Sequence, residues 1–289
     1  MSETPITTPP RAGASPDAIM AHYDISDAFF GLWIGPEMIY SSALFEHGDD
    51  LHGAQLRKLD YHIAAAGAAA TARVLDIGCG WGALLRRLVQ HADVKTACGL
   101  TLSRSQAAWI RRSAPPGVEV REEDWRVHQA DMPYDAIISI GAFEHFAHRG
   151  LDRQAKLDVY RSFFDFCHRV LADDGRLSLQ TIAYVKSSTD VPSLITDKIF
   201  PDSELPLISE PIVAAEEKFE LLTLRNDADH YYRTLRMWDA NLAGRHDEAV
   251  ALVGEQTVSD FRQYLRTSAF GFRRGHICLL RMSFRKCGA

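Results

Sequence analysis

Short apolar runs alternate with amphipathic segments along the middle of the chain, between residues 72 and 185. The apolar runs have the length of strands, and the segments between them have the spacing of helices. The predicted strands lie near 73–77, 95–101, 117–122, 134–140 and 176–184. Strands that alternate with helices form a parallel sheet covered on both faces, so the pattern predicts a doubly wound α/β fold.

The C-terminal third adds two further apolar runs with the character of strands, near 218–225 and 276–284. Between them, helical periodicity predicts helices over about 229–243 and 246–268. Together with the five strands before them, these runs predict a seven-stranded, mostly parallel sheet.

The ends and the proline-rich stretches indicate how the chain is organised. The first residues are rich in Ser, Thr, Pro and Gly, which predicts a disordered tail over 1–18. Four prolines interrupt 186–217, so this segment should be a loop or a broken helix. We expect one domain over 19–289 that begins with short helices, with 186–217 and 229–268 as helical additions on the substrate side.

Composition excludes several classes of protein. A net charge of −6 without a long basic run argues against a nucleic-acid partner. The five cysteines are scattered and form no C-x-x-C pair, which argues against a zinc site and for a reducing compartment. No apolar run is long enough to span a bilayer, and the N-terminus has no secretory signal. These features predict a cytoplasmic protein that binds no metal.

A glycine-rich turn lies between the first predicted strand and the following helix. Asp76 ends the strand, and Gly78, Gly80 and Gly82 follow at alternate positions. Glycines let the backbone approach a ligand closely and leave amides at the start of a helix. Dinucleotide-binding proteins use a similar turn, so the glycines alone leave the ligand open. The carboxylate of Asp76 suits a ligand with an amino group, and the turn resembles the cofactor loop of class I S-adenosylmethionine (AdoMet) methyltransferases.

Further segments, in order from about residue 20 to about 284, extend this likeness. The chain resembles the cyclopropane-fatty-acid-synthase-like methyltransferases, which include mycolic acid cyclopropane synthases and enzymes that methylate amines or alkenes. The segments that carry the resemblance are 22–30, 40–45, 99–103, 134–146, 179–182, 199–201 and 230–235. The resemblance implies a class I methyltransferase fold and AdoMet as the cofactor.

The resemblance also implies which residues bind the cofactor. Asp76 would reach the methionyl ammonium, although capping of the next helix is an alternative role. Gln106 would contact the ribose, and Trp125 would stack on the adenine unless it is only a core residue. The implied cofactor residues are Tyr40, Ser41, Asp76, Gly78, Gly80, Thr101, Leu102, Gln106, Asp124, Trp125 and Ile140.

On the substrate side, the resemblance points to the site that holds bicarbonate in cyclopropane synthases. Glu144 matches the glutamate of the family. Ser42 and Gln180 stand where many members have cysteine and histidine, and His276 lies near the place of a C-terminal tyrosine. Neutral hydroxyl and amide groups hold an anion less strongly than a protonated histidine does. We therefore predict that turnover does not require bicarbonate.

Glu144, His145 and His148 follow the fourth strand, and there they could act as proton acceptors. We expect them to open a helix, with Glu144 and His148 on one face. A capped helix start is the alternative role for these side chains. Among the aromatic residues near the expected acceptor pocket, Tyr231 is a candidate catalytic residue and Tyr184 a candidate for contact with the acceptor.

Three functions remain open at this point. The first is transfer of a methyl group to carbon or nitrogen of a hydrophobic small-molecule or carrier-bound acceptor in specialised metabolism. The second is a cyclopropane synthase or C-methyltransferase that acts on unsaturated fatty-acyl lipids. The third, a catalytically silent scaffold, is disfavoured because a scaffold has no need of the glycine turn.

Overall fold

Seven strands form one sheet in the computed structural model, which describes residues 25–187 and 203–288. In chain order they are β1 (Arg73–Ile77), β2 (Thr96–Thr101), β3 (Val118–Glu122), β4 (Tyr134–Ile140), β5 (Leu171–Tyr184), β6 (Phe219–Asn226) and β7 (Ile277–Lys286). Their order across the sheet is β3-β2-β1-β4-β5-β7-β6. Strands β1 to β5 pair in parallel, whereas β7 lies antiparallel between β5 and β6. The predicted doubly wound, mostly parallel fold is confirmed.

Helices cover both faces of the sheet, as expected for parallel strands. They are α1 (Asp27–Ile34), α2 (Leu51–Ala65), α3 (Ala83–His91), α4 (Arg104–Ser113), α5 (Arg153–Val170), α6 (Ser209–Ala215), α7 (Ala228–Gly244), α8 (His246–Val253) and α9 (Glu255–Arg273). The single helix predicted over 246–268 is wrong, because Gly254 adopts a φ of +82° and separates α8 from α9. A left-handed residue of this kind ends a helix.

The connection after β4 also differs from the prediction. Only a short 3₁₀ turn, Phe143–His145, follows the strand, and α5 begins at Arg153 with Asp152 as its N-cap. Glu144 and His148 therefore do not share a helix face, and the predicted arrangement of this pair is wrong.

Two sequence predictions concern residues outside the described ranges. The disordered tail predicted over 1–18 lies wholly outside them, and so does the middle of the proline-rich segment 186–217. No helix within the described ranges combines the length and the apolar character that crossing a bilayer requires.

The helices α1, α7 and α9 build an apolar cluster beside the sheet. Phe30 and Trp33 of α1 pack against Phe261 of α9, and Trp33 also contacts Trp238 of α7. Trp81, from the glycine turn, packs on Phe30 with ring centroids 5.2 Å apart. This packing anchors the N-terminal segment beside the glycine turn at the end of β1.

Candidate functional site

A cleft lies at the carboxyl ends of β1, β2 and β4, where open α/β sheets bind their ligands. The space inside it, with the open solvent at its mouth included, is about 1170 Å³. Its walls contain all of the predicted cofactor residues: Tyr40, Ser41, Asp76, Gly78, Gly80, Thr101, Leu102, Gln106, Asp124, Trp125 and Ile140. Sequence reasoning therefore assembled one continuous surface from five separate segments.

The three glycines of the turn have different tasks. All three have positive φ, at +81° for Gly78, +53° for Gly80 and +77° for Gly82. A Cβ at Gly78 would lie 2.4 Å from the Cβ of Ala142, and one at Gly82 would lie 2.8 Å from Ile110. A Cβ at Gly80 meets nothing within 4 Å and would project into the cleft. Only Gly80 thus keeps ligand space open, whereas Gly78 and Gly82 permit close packing within the protein.

Asp76 lies at the floor of the cleft and is 3% exposed. Burial raises the pKa of its carboxyl to about 7, although the ammonium of Lys58 acts in the opposite direction. The alternative role as a helix cap is wrong, because α3 has Gly82 as its N-cap and no side-chain cap. A buried carboxylate without a helix to cap suits a cationic group of a ligand.

Side chains at the ends of β2 and β3 line the other end of the cleft. Thr101 Oγ1 donates to Gln106 Oε1 over 2.8 Å, which fixes the amide of Gln106. Asp124 accepts a hydrogen bond from Nε of Arg126 at 3.0 Å. Trp125 lines the cleft and also packs on Phe163, with centroids 5.5 Å apart. Trp125 is therefore a core residue that also forms part of the cleft wall, and its contact with adenine stays a prediction.

Glu144 is the buried carboxyl group beside β5. Its Oε1 accepts a hydrogen bond from the backbone N–H of Ile182 at 2.6 Å. Its Oε2 has no hydrogen-bond partner within the described part of the chain. Burial raises the pKa of Glu144 to about 7, while hydrogen bonds from the backbone N–H groups of Ile182 and Glu144 and from the Thr181 side chain oppose this shift. The carboxyl group can therefore take up and release a proton near neutral pH.

The two histidines after Glu144 both contact Ser203, which lies in the segment before α6. Nδ1 of His145 lies 2.7 Å from Oγ of Ser203, and burial lowers the pKa of His145 to about 4. His145 also lines the cleft, so it presents a neutral imidazole there. His148 pairs with Ser203 through its backbone, and its ring contacts the carbonyl of Arg149. Among the residues that the structure describes, His148 thus makes no contact that supports a role with Glu144.

Ser42 and Gln180 belong to a buried polar cluster around Arg281. Gln180 Oε1 accepts from Nε of Arg281 at 2.8 Å and lies 3.3 Å from Nε2 of His62. Arg281 also donates to the carbonyl oxygen of Ser42 and forms an ion pair with Asp227. These internal bonds engage the Oε1 atom of the Gln180 amide. Its NH₂ group is the part of the side chain that can donate a hydrogen bond to a ligand.

His276, Tyr231 and Tyr184 do not line the cleft, and neither do Ser42, Glu144, His148 and Gln180. His276 is exposed in the turn before β7 and packs against Phe270, so the structure lends no support to its assignment to the anion pocket. Tyr231 packs on Phe272 in the apolar helix cluster, with centroids 4.8 Å apart. Tyr184 ends β5, where its backbone N–H donates to the carbonyl of Pro206.

Sequence reasoning missed Lys58, His62 and Arg281. Lys58 lines the cleft, and His62 lies about one helical turn further along α2; both are buried. A signal was present, because Gln55, Lys58 and His62 recur at helical spacing in one predicted helix and form a polar stripe on its buried face. Nothing local marks Arg281, since its partners come from distant segments.

The residues of the cleft match the chemical groups of AdoMet. A buried carboxylate suits its ammonium, hydrogen-bonding side chains suit its ribose, and an aromatic wall suits its adenine. Gly80 leaves room where a side chain would fill the cleft. The donor set therefore fits this cofactor.

Comparisons with known proteins agree with the fold and the cofactor. The profile of the mycolic acid cyclopropane synthetase family matches residues 12–282. The chain is 35% identical over 281 residues to cyclopropane mycolic acid synthase 1 of Mycobacterium tuberculosis, which covers 90% of this chain and 93% of that protein.

Two solved structures of such synthases have the same fold. The cyclopropane synthase MmaA2 from Mycobacterium tuberculosis superposes with a TM-score of 0.86 and 33% identity, over 95% of this chain and 99% of that one. CmaA1, in complex with SAH and CTAB, superposes with a TM-score of 0.83 and 33% identity over the same shares of the two chains. AdoMet is thus the cofactor, and the chain belongs to the mycolic acid cyclopropane synthetase family of AdoMet-dependent methyltransferases.

Proposed function

We propose that the protein transfers a methyl group from AdoMet to a carbon–carbon double bond of an unsaturated acyl lipid. The curated relatives support this acceptor, since they are named as cyclopropane mycolic acid synthases. The complex of CmaA1 with the detergent CTAB supports a site of this kind for a long alkyl chain. These comparisons favour the lipid acceptor over the specialised metabolite that the sequence placed first.

The observation that carries the proposal is the second carboxylate oxygen of Glu144. It is buried, has no hydrogen-bond partner among the described residues, and belongs to a group whose pKa is raised to about 7. AdoMet, when bound, supplies an electrophilic methyl group on a good leaving group. Addition of that methyl to an alkene leaves a cation on the acceptor, and this cation must lose one proton to give a neutral product.

Glu144 is the residue that receives this proton. The bond from Ile182 holds one oxygen, so the other remains as the proton acceptor. Loss of the proton from the transferred methyl closes a cyclopropane ring, whereas loss from the neighbouring carbon gives a methyl-branched alkene. Both products contain one CH₂ unit more than the acceptor.

A second candidate is methylation of carbon or nitrogen in a hydrophobic small molecule or a carrier-bound acceptor. The bonding of Ser42 and Gln180 favours it. Oγ of Ser42 donates to the carbonyl of Ala43, and the Gln180 amide is held by Arg281, so neither residue provides a cation for an anion site. Deprotonation of an amine by Glu144 would need no such site.

The two functions differ in where the methyl carbon appears. The experiment incubates the protein with methyl-¹³C AdoMet and, in separate reactions, a detergent-dispersed dioleoyl phospholipid and a long-chain secondary amine. A ¹³C signal of a ring methylene or of a C-methyl in the recovered lipid supports the proposal. Labelled N-methyl product from the amine, with unlabelled lipid, would replace it by the second candidate.

A further inference from the structure

Lys58 is a buried lysine that the proposed reaction does not use. It lies on α2, is 1% exposed, and lines the cleft on the side of the loop that contains Ser41. Its Nζ donates to Oγ of Ser41 over 2.8 Å. Three residues earlier on the same helix, Gln55 Nε2 donates to the backbone carbonyl of Ser41 over 2.8 Å. Helix α2 therefore holds Ser41 at the wall of the cleft by both its backbone and its side chain.

The ammonium of Lys58 has no close counter-charge. Within the ranges that the structure describes, no carboxylate oxygen lies within 4.0 Å of its Nζ. Asp76 stabilises the charged form from a greater distance, while burial and the guanidinium of Arg281 oppose it and lower the pKa of Lys58 to about 7. Burial of a cation that lacks an anion is costly unless a ligand supplies the anion.

The other charged groups of the cleft are already paired with neighbours. Arg126 is bonded to Asp124, and Glu123 lies 2.5 Å from Nδ1 of His128. Lys58 and Asp76 therefore form the pair of opposite, separated charges that faces the cleft. The methionyl end of AdoMet has the complementary pair, an ammonium and a carboxylate on one carbon.

We propose that Lys58 and Ser41 together bind the carboxylate of the methionyl group, while Asp76 binds its ammonium. Because Nζ of Lys58 donates to Oγ of Ser41, the hydroxyl hydrogen of Ser41 remains available to a second acceptor. A carboxylate at this place accepts from both groups, and charge-assisted hydrogen bonds of this kind are strong. This inference concerns the cofactor alone and holds whichever acceptor the enzyme methylates.

The test compares two ligands that differ only in the carboxylate. Isothermal titration calorimetry gives the Kd of S-adenosylhomocysteine and of its decarboxylated analogue for the full chain, for Lys58→Met and for Lys156→Met. A hydrogen bond between charged groups contributes about 1.5–3 kcal/mol, so Lys58→Met should weaken binding of S-adenosylhomocysteine by roughly 10- to 100-fold. The Kd of the analogue should change by less than about threefold, which is smaller than the change expected from the loss of one charge-assisted hydrogen bond.

Lys156→Met is the matched control, because Lys156 is also nearly buried but bonds to Leu205 and Glu210 away from the cleft. It should leave both Kd values unchanged. Equal weakening of both ligands in Lys58→Met would overturn the proposal and make Lys58 a support for the loop. If Lys58→Met does not fold, the two Kd values of the unaltered protein still test the proposal. Equal affinity for the two ligands would overturn it, because no group would then recognise the carboxylate.

Discussion

The site has two halves that are built in different ways: the cofactor cleft, and an acceptor half, which we define as the buried residues Ser42, Glu144, Gln180 and Arg281. On the cofactor half, contacts are local, since the glycine turn directly follows β1 and Thr101 bonds to Gln106 five residues later. On the acceptor half, Arg281 joins Gln180 and the carbonyl of Ser42, which are 101 and 239 residues away in the chain. A site built from local contacts can be recognised as a motif, whereas a site built from distant side chains depends on the whole topology. We therefore expect variants in the cofactor half to lose affinity for the cofactor, and variants in the acceptor half to lose turnover or stability.

The largest effect should come from Gly80→Val, which tests the cofactor half. The new side chain would project into the cleft where AdoMet binds, so we expect calorimetry to detect no binding of AdoMet or S-adenosylhomocysteine. Gly254→Val is the control for backbone strain, because Gly254 also has positive φ and open space but lies between α8 and α9. Unchanged affinity in a folded Gly80→Val protein would contradict the cofactor assignment.

On the acceptor half, Glu144→Gln should leave the Kd of S-adenosylhomocysteine nearly unchanged and slow turnover by about 10²-fold or more, as expected for the loss of a general base. Single-turnover assays with saturating AdoMet measure this effect. Glu220→Gln, on the exposed strand β6, provides a control carboxyl group. Full activity of Glu144→Gln would show that the proton leaves by another route.

Arg281→Met should destabilise the acceptor half, because it leaves Asp227 without its buried partner. Breaking a buried ion pair from one side costs about 3 kcal/mol or more in the free energy of unfolding, which urea denaturation measures. Arg285→Met, four residues along the same strand, removes an exposed pair with Glu220 and should cost less than about 1 kcal/mol. Equal losses in the two variants would show that the cluster around Arg281 contributes no special stability.

The pH dependence of S-adenosylhomocysteine binding tests the charge pair at the methionyl end. Asp76 must be ionised to attract the ammonium, and its pKa is raised to about 7; Lys58 must be protonated to attract the carboxylate, and its pKa is lowered to about 7. Affinity should therefore be greatest near pH 7 and fall by up to roughly tenfold per pH unit on each side.

The variants assign the two limbs of this profile. Asp76→Asn should remove the acidic limb, and Lys58→Met should remove the alkaline limb. Arg281 and His62 also face Lys58, but Arg281 remains charged across this range and burial keeps the pKa of His62 well below its usual value. An affinity that is flat with pH in the unaltered protein would contradict this description of the pair.

The smallest effect is expected from bicarbonate. Gln180 and Ser42 present neutral groups, so removal of bicarbonate from a degassed assay should leave turnover unchanged. Restoring the salt as bicarbonate, with chloride at equal ionic strength as the control, should also have no effect. A large and saturable recovery with bicarbonate would show that the acceptor half holds an anion despite these side chains.

The sequence predicted β1 and β4 well because most of their residues are buried on both faces of the sheet. β1 and β4 begin and end where their apolar runs do, and the loop after β1 has the glycines that its positive φ angles require. The break at Gly254 and the short turn at Glu144 were not predicted, because helical periodicity continues through Gly254 and the segment after β4 has no strong stop signal. In both places the backbone conformation of a few residues determined where the helix begins or ends.

The chemistry of the acceptor half was harder to predict for a different reason. Glu144 was found through a resemblance, but its hydrogen bond to Ile182 depends on how the 3₁₀ turn meets β5. Lys58 and Arg281 are charged residues in amphipathic or mixed segments, where a solvent-exposed position is the ordinary expectation. Their burial follows only from the packing of α2 and β7 against the sheet.

The position of β7 has a consequence for the order in which the molecule can be assembled during synthesis. This strand comes last in the chain but lies between β5 and β6, where it pairs with both. Until β7 has left the ribosome, β5 has an open edge and β6 has no partner in the sheet, while β1 to β4 can already pair. A nascent chain can therefore complete the cofactor-binding strands first, and the acceptor half closes only when the final strand inserts and brings Arg281 to Asp227.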